Sequence, residues 1–277
     1  MTSQHLLRDP ATAGASMRRI SAMVLRYWFL LRSSWPRLVE LIYWPAVQMI
    51  TWGFLQMSFA GHEGALARAG ATFIGAVLLW DILFRGQIGF SVSFLEEMWA
   101  RNMGNLMMSP LKPGEFIAAL MTMSIVRLII GFVPVSLLAM FYFGFNLWSL
   151  GLALAAFFGN LIFTSWSIGL VVSGLVLRNG LGAENLAWSL TFLLLPLSCV
   201  YYPVETLPGW LQSIALMLPP TYVFEGLRAL VLDGVFRADL MLKAAGLNVL
   251  LFSAALVAFF ALFASARRTG SLLQLGE

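Results

Sequence analysis

The chain has 277 residues, 60% hydrophobic and 11% charged, with a mean hydropathy of +0.84 and a net charge of +4. A soluble domain carries about 25% charged residues, so this chain has too little polar surface to cover a soluble core and reads as a polytopic α-helical membrane protein. One cysteine, Cys199, excludes an intrachain disulfide and a thiolate metal cluster, and the isolated His5 and His62 argue against metal catalysis, leaving open only a carboxylate site.

Residues 1–16 form a polar tail with no signal-peptide pattern. Residues 17–35 are expected to form an amphipathic helix. Ile20, Met23, Val24, Tyr27, Leu30 and Leu31 share one broad face, and Arg18, Arg19, Arg26 and Ser33 the other. A basic helix with such anchors suits the headgroup plane, unless the segment is merely a positive tail beside the membrane. Tyr27, Trp28, Trp35, Tyr43 and Trp44 read as an interfacial aromatic belt.

A helix needs about 20 apolar residues to cross a hydrocarbon core of about 30 Å. Residues 38–59, 71–94, 116–143, 147–177 and 244–266 meet that length. A sixth stretch, 186–202, is slightly short and could span with local thinning or by ending in a protein-lined recess. Six spans place both termini on one side. That side receives Arg8, Arg18, Arg19, Arg26, Arg32, Arg37, Arg101, Lys112, Arg178, Arg267 and Arg268, against Arg68, Arg228, Arg237 and Lys243 on the other. The positive-inside rule then makes both termini cytoplasmic.

Within span two, Asp81 and Arg85 stand one turn apart and can pair. Arg127, mid-way along span three, has no local partner and is expected to pair with Asp81 or face a cavity. Three readings stay open for these charges: a structural clamp, a cationic spot for an anionic headgroup or sugar-phosphate, or a misplaced span boundary.

The loop 95–115 begins with helical period. Trp99, Met103, Leu106 and Met107 share one side, and Glu97 and Arg101 are spaced to pair on another. Pro110 and Pro113 stop the helix. Such a helix over 97–108 suits docking into a partner's groove, or lies passively on the membrane. In span four, Asn160, Thr164, Ser165 and Ser167 are expected to bond across helices, while Gly169 and Gly174 permit close packing. Beyond 186–202, prolines at 203, 208, 219 and 220 cut the chain into two apolar pieces, 209–218 and 221–232, each too short to cross. They read as re-entrant or interfacial helices plugging one half of the membrane, with Glu225 and Arg228 able to pair.

Several of these segments carry a resemblance. Pro203-Val204-Glu205, Leu207-Pro208, Trp210-Leu211-Gln212, Leu218-Pro219 and Glu225 through Arg228 resemble the external hairpin of ABC-2 type permeases. The loop 97–110, with Arg101 and Ser109-Pro110-Leu111, is similar to that family's coupling helix, and 17–35 to its N-terminal connecting helix. The resemblance covers nearly the whole chain in order. It implies the six-helix type V exporter fold and a permease working as a dimer, homodimeric or with a related chain, with two separate ATPase subunits that bind ATP and Mg. It implies a bacterial inner-membrane location, ATPase contact through Glu97, Trp99, Arg101, Met103, Leu106 and Met107, and substrate walls on spans one, two and five. An outer gate would be formed by Pro203, Glu205, Pro208, Trp210, Pro219, Glu225 and Arg228. Independently, a P-loop needs Gly-Lys-Ser/Thr, and the only lysines, Lys112 and Lys243, follow Leu111 and Leu242. The expected function is therefore export, driven by a partner, of an amphipathic, lipid-like, drug-like or glycan substrate, with no nucleic acid involved. The rivals are a secondary transporter, which would show repeats and an ion site; a membrane enzyme, for which Glu205, Glu225, Asp233 and Asp239 are the only clustered candidates; and a non-transporting assembly or regulatory subunit.

Overall fold

The computed structural model describes residues 13–60 and 65–269, and every regular element among them is helical. His5, His62, Arg8 and most of the polar tail lie outside the described residues. Helix α1 covers Ala13–Arg32, α2 Trp35–Ala60, α3 Ala65–Trp99, α4 Met103–Met108 and α5 Pro113–Phe143. They are followed by α6 Leu152–Asn179, α7 Leu186–Leu197, α8 Gly209–Ala215, α9 Pro219–Asp233 and α10 Ala238–Thr269.

Among the described residues five helices, α2, α3, α5, α6 and α10, are long and apolar enough to cross a membrane, or six if the bent pair Gly209–Ala215 and Pro219–Asp233 counts as one span. Their order follows from the apolar runs, because in hydrocarbon only an uninterrupted helix satisfies its own backbone. Helix α3 is the axis of the bundle: 78% of its apolar window is buried, against 17% for α2 and 22% for α10. The last two therefore turn most of their apolar surface outward. Small residues bring α3 and α6 together. A Cβ on Gly169 would strike the Phe90 ring, and one on Gly86 would strike Ile162 and Ser165.

The stretch 186–202 is not one helix. Pro196 removes an N–H near the end of α7, and Cys199 then takes a left-handed φ of 53°. The segment nevertheless runs the height of α3. Trp99 Nε1 donates to Glu184 just before α7, Thr191 Oγ1 donates to Gln87, and Tyr201 lies edge-on to Phe73 and stacked on Trp52. Phe73 and Trp99 are 26 residues apart on α3, about 39 Å of helix. A short helix and a non-helical outer strap thus share the climb that a single span was expected to make.

Helices α8 and α9 follow, bent by 98° to one another. Helix α9 packs against α3, α6 and α10. Gly234, at a φ of 70°, closes α9 in the left-handed conformation that glycine adopts without a Cβ penalty. The bundle therefore has two distinct ends. One carries α4 together with α1 and the last turns of α10; the other carries α8 and α9.

Candidate functional site

At the α4 end, the sequence builds a stop and then a strained corner. Helix α3 runs one turn past the apolar run that ends at Phe94, carrying Glu96 and Glu97 with it. It closes by a pair of backbone bonds: Asn102 N–H to Glu97 O at 2.9 Å and Arg101 N–H to Met98 O at 3.0 Å. That pattern requires a left-handed residue, normally glycine, at the position Arg101 fills with φ 53°. A non-glycine residue there costs about 1–2 kcal/mol. The Arg101 side chain is exposed and forms no ion pair among the described residues.

The corner changes three expectations. The helix expected over 97–108 is divided, residues 97–99 ending α3 and Met103–Met108 forming α4, because the left-handed Arg101 breaks the run between them. Glu97 does not pair with Arg101. It is fully buried at the foot of α3, where it meets Arg26 of α1 at 2.9 Å and accepts from Asn102 Nδ2 at 2.7 Å. With Arg101 turned away by the helix break, their spacing no longer puts them on one face. Trp99 and Met103 do not share a helical stripe either. Met103 is buried and anchors α4, Leu106 is half-buried, and Met107 and Met108 point outward, Met108 being 81% exposed. Trp99 is half exposed and its indole N–H is held by Glu184 at 3.0 Å. The available surface is thus Trp99, Arg101, Met107 and Met108.

Beneath this surface lies an ionic floor joining four helices. Glu96 of α3 accepts from Arg127 Nη2 of α5 through both oxygens at 2.9 Å, and from Arg37 of α2 at 3.1 Å. Glu115, three residues into α5, accepts from the Lys112 backbone, Ser16 and Arg19, the last at 2.6 and 2.7 Å. That Glu115 bond makes the capping box of α5 and at the same time docks α1. Arg19 and Arg26, expected on the solvated face of α1, both reach inward. Tyr27, expected in the aromatic belt, is fully buried beside Glu97, and burial together with that carboxylate raises its phenol above the ordinary value. Trp35, Tyr43 and Trp44 are exposed as a belt requires.

Arg127 has a partner that the apolar boundaries hid. Its Cβ packs against Gly89, and its side chain runs along α3 to Glu96, seven residues or about 10 Å toward the α4 end. It meets neither Asp81 nor a cavity. Asp81 and Arg85 do pair, at 2.7 Å. Arg85 also donates Nη1 to the Leu41 carbonyl of α2 at 2.7 Å. In a regular helix that carbonyl would receive the N–H of residue 45, but residue 45 is proline. The Asp81–Arg85 pair therefore fills the gap that Pro45 opens, and Gly131 of α5 lets α2 approach, since a Cβ there would lie 2.5 Å from the Leu41 oxygen.

At the other end, Glu225 and Arg228 of α9 pair at 2.7 Å. Both also hold the strap after α7. The Val204 N–H donates to Glu225 at 2.9 Å, and Arg228 Nη1 donates to the Cys199 carbonyl at 2.9 Å. Pro219 is buried at the start of α9, while Pro203, Glu205, Pro208 and Trp210 are exposed around the tip and the α8 start. Replacing Glu225 by Ala leaves the Val204 N–H without its acceptor and Arg228 without its carboxylate, still holding the strap by the Cys199 carbonyl, and charge-assisted bonds of this kind contribute about 1.5–3 kcal/mol. We expect faster hydrogen exchange confined to residues 199–207 in that variant. Exchange unchanged there would mean that the strap holds itself.

In the α6 region, Thr164 donates to Asn248 Oδ1 at 2.7 Å and Ser165 to the Leu83 carbonyl at 2.8 Å, both across helices. Asn160 accepts from Asn248. Ser167 departs from expectation: among the described residues its hydroxyl bonds within its own helix, to Phe163 O. Sequence reading missed Glu96, Glu115, Glu184 and Asn248. Of these only Glu115 had a usable signal, a glutamate three residues after the turn that opens an apolar run.

The family model for ABC-2 type transporter matches residues 21–232, from within α1 to the last turn of α9. No curated protein matches the chain.

Proposed function

Because the chain belongs to the ABC-2 type transporter family, we propose that it is the permease subunit of an ATP-driven exporter powered by separate ATPase subunits. Its place as a multi-pass membrane protein with a permease-type transport role is the premise. The direction, the partner and the substrate are the proposal. Two ATPase subunits would bind ATP and Mg and dock on the α4 end of a permease dimer, with both termini on the cytoplasmic side of a bacterial inner membrane. The substrate would be amphipathic, lipid-like, drug-like or glycan, taken from the cytoplasm or the inner leaflet.

The observation that carries this reading is Arg101. A long cation is kept where the backbone favours glycine, exposed and without an ionic partner among the described residues, beside the outward-facing Trp99, Met107 and Met108. Strained residues of this kind cluster at ligand clamps and switch regions, which supports a contact role for the exposed Arg101. Glu97, buried and paired with Arg26, supports the corner from beneath and does not touch the partner.

A push on α4 has a route to the far end. Trp99 grips Glu184 ahead of α7, α7 continues into the strap, and the strap is held by Glu225 and Arg228 of α9. The ionic floor ties α1, α2, α3 and α5 together at the α4 end, and Trp99 of α3 links that unit to α7. In this reading α8 and α9, with Pro203, Glu205, Pro208, Trp210 and Pro219 around them, form the outer gate.

The test is Arg101→Gly. Glycine suits the left-handed corner, so the thermal stability of the purified chain should hold or rise by about 1 kcal/mol. Co-purification of the ATPase, or its stimulation by substrate, should nevertheless fall. Undiminished assembly and stimulation in Arg101→Gly and in Met107→Asp would sink the docking assignment.

A further inference from the structure

Between α4, the first turn of α5 and the last turns of α10 lies a cavity of about 460 Å³. Met103, Leu106, Phe116, Phe259 and Phe263 form its walls, and Arg267 is the only charged residue in its lining among the described residues. The volume falls within the range of about 300–1,000 Å³ typical of small-ligand sites. We propose that this cavity holds one acyl chain of an anionic phospholipid, with the lipid phosphate resting on Arg267.

Depth and charge together select that occupant. Phe259 lies eight residues before Arg267 on α10, so the cavity reaches about 12 Å along the helix from the cation. Met107 and Met108, which a docked protein would meet, also line the cavity, and a side chain entering beside them would have to cover that whole depth to reach Phe259. A hydrocarbon chain spans that depth, and α10, the wall that carries Phe259 and Phe263, is only 22% buried over its apolar window. At the mouth, an exposed guanidinium next to Arg268 matches a phosphate, which arginine grips through paired N–H donors. No carboxylate lines the cavity to repel the phosphate. A zwitterionic lipid presents the same phosphate, but its own ammonium offsets that charge beside Arg267 and Arg268, so the anionic lipid is the better match.

The lipid is resident and not the exported substrate. It would fill the space behind α4 and brace Met103, the buried anchor of that helix. The inference stands on the membrane fold alone and does not need the ATPase assignment.

Native mass spectrometry of the full chain in mild detergent tests it, with equal amounts of phosphatidylglycerol and phosphatidylcholine carrying the same acyl chains. One phosphatidylglycerol should be retained in preference by about tenfold, because no cationic headgroup offsets its phosphate charge at Arg267. Arg267→Gln should abolish the preference while weak retention of both lipids persists. Leu111→Trp, which crowds the cavity from the loop before α5, should reduce retention of both. Equal retention of the two lipids by the parent chain would overturn the proposal, as would an undiminished preference in Arg267→Gln. If adding the ATPase subunit expels the bound lipid, the cavity is a protein groove and the proposal falls. Arg267 is exposed, so Arg267→Gln keeps the fold and decides the matter even if Leu111→Trp does not fold.

Discussion

Glu96→Gln should unfold at a markedly lower temperature than the parent protein, with a loss of about 3–5 kcal/mol. Glu96 is the only carboxylate that Arg127 contacts among the described residues, and the two side chains are 7% and 6% exposed. The amide cannot neutralise the guanidinium, which then stays buried and unpaired between α3 and α5. Arg37 shares Glu96 but is nearly half exposed and can turn to water. Arg37→Gln should therefore alter stability by only about 0–1 kcal/mol. Replacing Glu96 and Arg127 together by Met removes both charges and should recover most of the loss. Thermal unfolding of the four proteins in one detergent separates these outcomes. A Glu96→Gln protein as stable as Arg37→Gln would show that the floor at this end is solvated.

The second large effect is expected at Arg85. Arg85→Met removes the partner of buried Asp81 and at the same time leaves the Leu41 carbonyl without a donor. Breaking the pair contributes about 3–5 kcal/mol and the orphaned carbonyl about 1–3 more, although the two losses share one side chain and will not add in full. Pro45→Ala supplies the missing N–H to that same carbonyl. In the Arg85→Met background Pro45→Ala should therefore restore about 1–3 kcal/mol, and in the parent protein it should restore less, because the carbonyl is already satisfied there. A double-mutant cycle by thermal unfolding reads the difference directly. Equal effects of Pro45→Ala in both backgrounds would refute the repair role and return Arg85 to the list of substrate-facing candidates.

The two predictions differ in how far the sequence shows their residues: Arg127, Asp81 and Arg85 stand out as charges inside apolar runs, and Glu96 does not. Asp81 and Arg85 were expected to pair and do so, because an i, i+4 spacing inside one helix fixes the encounter wherever that helix lies. Their second task, at Pro45, depends on α2 lying against α3 and on Gly131 admitting it, and neither is visible in either segment alone. Glu97 and Arg101 have the same spacing and do not pair, because the helix stops between them. The apolar run ends at Phe94, so Glu96 and Glu97 were placed in a loop. The helix continues to Trp99 because Arg26, Arg37 and Arg127 accommodate two carboxylates that the bilayer would otherwise exclude.

The sequence by itself determined the membrane class, the order of the long helices, the two short helices between prolines and the local pairs Asp81–Arg85 and Glu225–Arg228. Each of these depends on composition or on spacing within a single helix. Only the tertiary structure decided which arginine meets which glutamate across helices, how the climb of 186–202 is divided between a helix and a strap, and which part of the expected docking helix faces outward. Those outcomes depend on the rotation and depth of one helix against its neighbour, and packing sets both. A shift of one residue in α3 turns Glu96 about 100° away from Arg127, so no pattern along one strand of sequence could specify that contact.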